Sequence, residues 1–246
     1  MGQKVLIVTL MCLVATGVAA KGHADAGDIS WTNWSSVNSS TKTAQGSILF
    51  SDGTTVGVSY TGDIIGSWVD WNEPRYATTY IQSGVVNNAP PNQYVGINLG
   101  GGTTGIVDTI TFSEPVLNPV FAIMSLGFAN VNAMPGSQYS TVGTYTFTDA
   151  EPFTIVNQGP GYWGQDVYQL TQSGNELIGY EGNGLIQFSG TFSSITWTSS
   201  TGYPFDTSIL TLGAPAAGSP VPAPAAFLLL GPGLAGLVAL RRRLGT

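Results

Sequence analysis

Between Gly27 and Pro220 the chain has the rhythm of strands: Tyr94–Leu99 and Ile106–Phe112 alternate apolar with polar residues, and no helical period is sustained. Ile48-Leu49-Phe50 and Thr55–Tyr60 flank Ser51-Asp52-Gly53-Thr54, which predicts a hairpin turning at Asp52-Gly53. Further strands are expected at Tyr94–Leu99, Ile106–Phe112, Thr144–Thr148, Phe153–Val156, Glu176–Tyr180, Leu185–Phe188, Ser194–Thr198 and Ser208–Leu212. These runs are filled by threonine, valine, isoleucine and aromatic residues, which suit a pleated, half-buried surface. Gly, Pro and Asn separate them. Pro119–Leu126 is more continuously apolar, as expected of a central strand. No capped helical period occurs between residues 27 and 220. The expectation is an all-β ectodomain, residues 27–212, folded as a single jelly-roll-like β-sandwich, with a barrel as the alternative.

The two ends break this rhythm. Lys4 precedes an apolar stretch from Val5 to Ala20, the order of a cleavable secretory signal occupying residues 1–26. Cleavage fits after Ala20 or after Ala26; the Ala24-Asp25-Ala26 box and the placing of Lys21 before the cut favour Ala26. At the other end, residues 213–220 read as an extended Pro/Ala/Gly linker. Residues 221–246 follow: Val221-Pro222-Ala223-Pro224, an uncharged run over 225–240, then Arg241, Arg242 and Arg243. The prolines stop a helix from starting earlier, and the arginines hold to the cytoplasmic side of a bilayer. A helix over 225–240 rises about 24 Å, short of a hydrocarbon core of roughly 30 Å, and Gly231-Pro232-Gly233 weakens it further. This predicts a brief anchor more than a permanent span.

Together these features resemble the PEP-CTERM proteins, in which a secretory signal, a cysteine-poor ectodomain and a C-terminal sorting tail occur together. The tail is carried here by Val221, Pro222, Pro224, Ala225-Ala226 and Arg241–Arg243; Ala223 stands where the family has glutamate. Ile110–Val120 and Glu181–Phe188 resemble ectodomains of such proteins. The resemblance implies recognition and cutting by an exosortase, a membrane cysteine peptidase. It also implies a Gram-negative host that makes exopolysaccharide, and a final place at the cell surface or in the extracellular matrix after transient residence in the inner membrane.

Charge and chemistry narrow the function. Only Lys42 and Arg75 offset thirteen acids between Gly27 and Pro220, so no basic stripe is available for nucleic acid. Cys12 and His23 both lie within residues 1–26. Their loss with the signal leaves the mature protein without a disulfide, a Ser-His-Asp triad or a histidine zinc site. Gly100, Gly102 and Gly105 spell G-x-G-x-x-G, but a strand and not a helix is expected next, so they read as a turn. The acids Asp70, Glu73, Asp149, Glu151, Asp166, Glu176 and Glu181 read as turn residues rather than a facing glycosidase pair, and no enzymatic activity is expected. Calcium bound by loop oxygens is the one cofactor left open, although no D-x-D-x-D-G loop occurs. Trp31, Trp34 and Trp197 read as core residues. Trp71, Tyr162 and Trp163 sit in loop-like contexts and are the candidate carbohydrate contacts. A structural or adhesive surface protein is the first expectation, a carbohydrate-binding module the second and a secreted hydrolase the third.

Overall fold

The computed structural model describes residues 28–68, 77–82, 85–100, 106–128, 142–148, 152–160, 169–201 and 207–216. The expected signal segment and sorting tail, and Trp71, Tyr162 and Trp163, lie outside them. In chain order the strands are β1 (Ile29–Trp31), β2 (Asn33–Asn38), β3 (Thr43–Leu49), β4 (Thr55–Thr61) and β5 (Ile64–Trp68). After a 3₁₀ turn at Ala77–Tyr80 come β6 (Gly96–Gly100), β7 (Val107–Leu117), β8 (Val120–Leu126), β9 (Gly143–Phe147) and β10 (Phe153–Gln158). The series closes with β11 (Thr171–Ser173), β12 (Glu176–Gly179), β13 (Gly182–Phe188), β14 (Thr191–Thr201) and β15 (Thr207–Pro215). Among the described residues no helix is long and apolar enough to cross a membrane.

The fold is all-β, and its strands form two antiparallel sheets, consistent with a β-sandwich. Sheet I has the order β10-β13-β8-β15-β6-β5, with β1 added alongside β15. Sheet II has the order β11-β12-β9-β14-β7-β4-β3-β2. The later half of the chain pairs back on the earlier half in reverse: β6 with β15, β7 with β14, β8 with β13 and β9 with β12. Successive pairs fall in alternate sheets, so the chain behaves as one long hairpin folded over between two layers.

The apolar pattern explains the layers. In sheet II alternate residues are buried: Val56, Val58 and Tyr60 on β4, Ile110 and Phe112 on β7, Ile195 and Trp197 on β14. They meet Phe121, Ile123, Ile186, Phe188, Leu210 and Leu212 of sheet I in one core. Trp197 lies at its centre, with ring centroids of Phe121 at 5.7 Å, Tyr145 at 5.9 Å, and Phe147 and Tyr60 at 6.1 Å. Sheet I is covered on both faces. Val120, Ala122 and Met124 of β8 point away from that core into a second cluster with Trp31, Tyr80 and Val86. Burial on both sides is why the β8 stretch reads as a near-continuous apolar run, broken only at Ser125.

Local chemistry places the turns. Gly53 has φ 87° and donates to Phe50 O at 3.0 Å. Thr54 N–H donates to the Asp52 carboxylate at 2.8 Å, which holds Asp52 below the ordinary carboxylate range. The hairpin therefore closes where the sequence predicts, with Leu49 opposite Thr55. β7 runs past its expected end at Phe112 to Leu117. Between the Thr111–Ser194 and Val116–Phe192 pairs its register slips. Pro115, which has no N–H to give a ladder, sits in that slip.

Four strands carry no sequence signal. β1 and β11 are three residues long, and β11 is wholly exposed. β2 and β5 contain register shifts that break their alternation. Residues 213–215, expected to open the linker, instead complete β15 by pairing with β1: Ile29 opposite Pro215, Ser30 opposite Ala214 and Trp31 opposite Gly213.

Candidate functional site

The outer face of sheet II is a hydroxyl-rich surface. Antiparallel registers put Thr43 opposite Thr61, Thr61 opposite Thr109 and Thr109 opposite Thr196. Thr148, just beyond β9, extends this row: its N–H donates to Thr196 O at 3.0 Å and its hydroxyl to the same oxygen at 3.1 Å. A second row, one pleat along, runs Gln45, Ser59, Thr111 and Ser194. All nine side chains are exposed or half-buried, and neither row carries a charge.

The face leads into a cleft of about 390 Å³ at one end of the sandwich. Ser47, two residues along β3 from Gln45, lines it, and Asn33 lies opposite Ser47 on β2. Trp31 is 4% exposed and forms its floor. Tyr94 and Pro91 make a half-buried wall, and Leu49 an exposed lip. No lining residue is charged. Asn88 fixes this end: its Oδ1 accepts from Ile29 N–H at 2.6 Å and its Nδ2 donates to Ile29 O at 2.9 Å. One side-chain amide thus replaces a strand partner for β1. Trp31 Nε1 donates to the Asn88 carbonyl at 3.2 Å. Asn88→Ala should cost about 1–2 kcal/mol and speed hydrogen exchange at the Ile29 amide far more than at Ile123. Equal protection of Ile29 in both proteins would remove this role.

Two buried polar knots sit where the chain passes from sheet II to sheet I. Between β4 and β5, Asp108 is fully buried and accepts from the Tyr60 hydroxyl, from Asp63 N–H at 2.9 Å and from the Ser199 hydroxyl at 2.6 Å. Burial pushes the Asp108 carboxyl up, against the pull of these donors. The Tyr60 phenol is also pushed up, by burial first and then by the neighbouring Asp108 charge, so it stays a donor. Asp63, itself buried, takes Lys42 Nζ at 3.0 Å. Gly62 has φ 154°, and a Cβ there would come within 2.2 Å of Asp108 Oδ1; the corner closes only with glycine. Between β12 and β13, the Ser125 hydroxyl donates to Glu181, Ser125 N–H donates to Asn183 Oδ1 at 2.8 Å, and Asn183 Nδ2 donates to Glu181 O at 2.6 Å. Ser125 and Glu181 both have positive φ, 62° and 55°, a cost of about 1–3 kcal/mol each that the surrounding bonds must offset.

Of the residues singled out in the sequence, Trp31, Trp34 and Trp197 are core residues, at 4%, 4% and 0% exposure. β7 follows the glycine-rich stretch as a strand. Glu176 is half-buried on β12 opposite Thr146, and Glu181 belongs to the second knot. Asp70, Trp71, Glu73, Asp149, Glu151, Tyr162, Trp163 and Asp166 lie outside the described residues, as do Val221, Pro222, Pro224 and Arg241–Arg243. Among the described residues no three His, Cys, Asp or Glu side chains converge as a metal site. Asp108 escaped sequence reading, yet its parity with the inward Ile110 and Phe112 is a signal for a buried carboxylate. The cleft has a weaker signal, the Asn- and Pro-rich approach to Tyr94.

No family model, no curated protein and no solved structure matches this chain.

Proposed function

We propose that this is an exported surface or matrix protein of a Gram-negative bacterium, sorted by an exosortase and serving a structural or adhesive role among exopolysaccharide. Its sandwich is of the jelly-roll kind, the assignment favoured by the reversed pairing of β6–β9 with β15–β12. The observation that carries the functional reading is the meeting of the two ends. Ile29 pairs with Pro215, and Ala216 N–H donates to Asp28 O at 2.7 Å. A signal ahead of Asp28 and an anchor beyond Ala216 therefore leave the domain at one point. The body is presented outward from a single tether, and cutting both segments releases it without disturbing a strand. Val221, Pro222 and Pro224 supply the peptidase recognition box, and Arg241–Arg243 the stop.

Fractionation of the native cell with mass spectrometry of the protein's termini is the test. The expected product is outside the inner membrane, begins at Gly27 and lacks the arginine cluster. Full-length protein in the cytosol would overturn the reading. Carbohydrate binding is the second reading, favoured by the uncharged hydroxyl face and its cleft.

A further inference from the structure

We propose that the two uncharged polar rows of sheet II and the adjoining cleft form one continuous track for a single neutral glycan chain. The inference deepens the carbohydrate reading and rests on it. Three features select this ligand.

The first is charge. Neither row has a charged residue, and neither does the cleft lining. Within the rows and the cleft lining an anionic polymer finds no cation to pair with, and a cationic one no carboxylate. A polyhydroxyl chain finds an array of small hydroxyl and amide groups, each able to donate and accept.

The second is spacing. Strands in a sheet stand about 4.8 Å apart, so the row Thr43-Thr61-Thr109-Thr196-Thr148 covers roughly 19 Å across five strands. One strand step is close to the length of one pyranose unit. Successive sugars can thus meet successive threonines, whose methyl groups pack against the C–H faces while the hydroxyls bond.

The third is shape. Sheet twist turns each strand by about 20–25° from the last. The row is therefore a shallow helical track, which suits a lone twisted chain and cannot match a flat crystalline lattice.

At β3 the track turns along the strand, past Thr43 and Gln45 to Ser47, and Ser47 lines the cleft. The cleft, about 390 Å³, has room for one or two sugar rings. Tyr94 offers a ring to stack on, and Asn33 an exposed amide.

Calorimetric titration of the mature protein with neutral gluco- and galacto-oligosaccharides of two to six units tests the proposal, with acidic oligogalacturonate and crystalline cellulose as contrasts. Affinity should rise with chain length to about five units, with weaker or no binding of both contrasts. Thr109→Val keeps the strand former and removes one hydroxyl; Asn33→Ala removes the exposed amide. Each should weaken the hexasaccharide about three- to tenfold with an unchanged melting temperature. Tyr94→Ala should weaken it about tenfold; because Tyr94 also packs on the second core cluster, the two surface variants decide. Three results would overturn the track: no neutral oligosaccharide binds, the acidic or crystalline ligand binds better, or Thr109→Val and Asn33→Ala both bind as the parent does. Binding of none of these carbohydrates removes the carbohydrate reading together with the track; either of the other two results removes the track alone, and correct export leaves the surface role standing in every case.

Discussion

Trp197→Ala is expected to destabilise the domain by about 3–5 kcal/mol, a large share of the 5–15 kcal/mol typical of a folded domain. Trp197 is fully buried on β14, the strand that joins β7 to β9 in the middle of sheet II. Its ring touches aromatic side chains of β4, β8 and β9. Through Phe121 and Phe147 it connects to Phe188, whose centroid lies 5.0 Å from each. Deleting the indole therefore removes contacts to both sheets at once. Collapse of the neighbours cannot fill the void, because each is itself held in a ladder. Trp197→Phe should cost much less. It keeps a ring between Phe121 and Phe147 and removes the Nε1 donor, which has no hydrogen-bond partner among the described residues. Urea denaturation would check the pair; an alanine variant within 1 kcal/mol of the parent would show that the aromatic cluster is not the centre of stability.

How much of this was readable beforehand depends on the range of the interaction. The Asp52-Gly53 hairpin is local, and turn chemistry with flanking alternation was sufficient to locate it. β8 announced its central position through composition, because a strand covered on both faces can be apolar at successive residues, as Val120–Met124 are. β1 left no such mark. Three residues have no period, and its stability comes from Pro215 and Asn88, far away in the chain. The same distance hid the end of β15: Gly213-Ala214-Pro215 look like linker until β1 is laid beside them. For the threonines the difficulty is different. Each one reads as an ordinary strand former, and nothing local says that Thr43, Thr61, Thr109 and Thr196 share a row. That is a property of three registers together. The cleft likewise joins segments near residues 31, 47 and 91 that no sequence window contains.

Asp108 gives the second large effect, and here the comparison of alanine with asparagine carries the meaning. Asp108→Ala strips the acceptor from three buried donors, the Tyr60 and Ser199 hydroxyls and Asp63 N–H, and should cost about 3–5 kcal/mol. The carboxylate also holds the corner at Gly62 where the chain changes sheets, so β5 and its partner β6 should loosen first. Asp108→Asn keeps an acceptor for Tyr60 and Asp63, and its amide can donate to Ser199 once that hydroxyl rotates. Its cost should be far smaller, and it should change the pH dependence. Burial raises the carboxyl of Asp108 above its ordinary value of 3.8, so between that value and the native one the folded protein holds a proton that the unfolded chain has released. The stabilisation tied to this proton is complete below 3.8 and is lost as pH rises through the native value. Wild type should therefore lose stability relative to Asp108→Asn as pH climbs out of the acid range. The neighbouring Asp63 charge adds to the upward push that burial gives Asp108. Denaturation curves of the two proteins from acid to neutral pH measure that difference directly. A gap that widens in favour of wild type on raising the pH would mean that the three donors outweigh burial and that Asp108 is ionised in the native fold throughout.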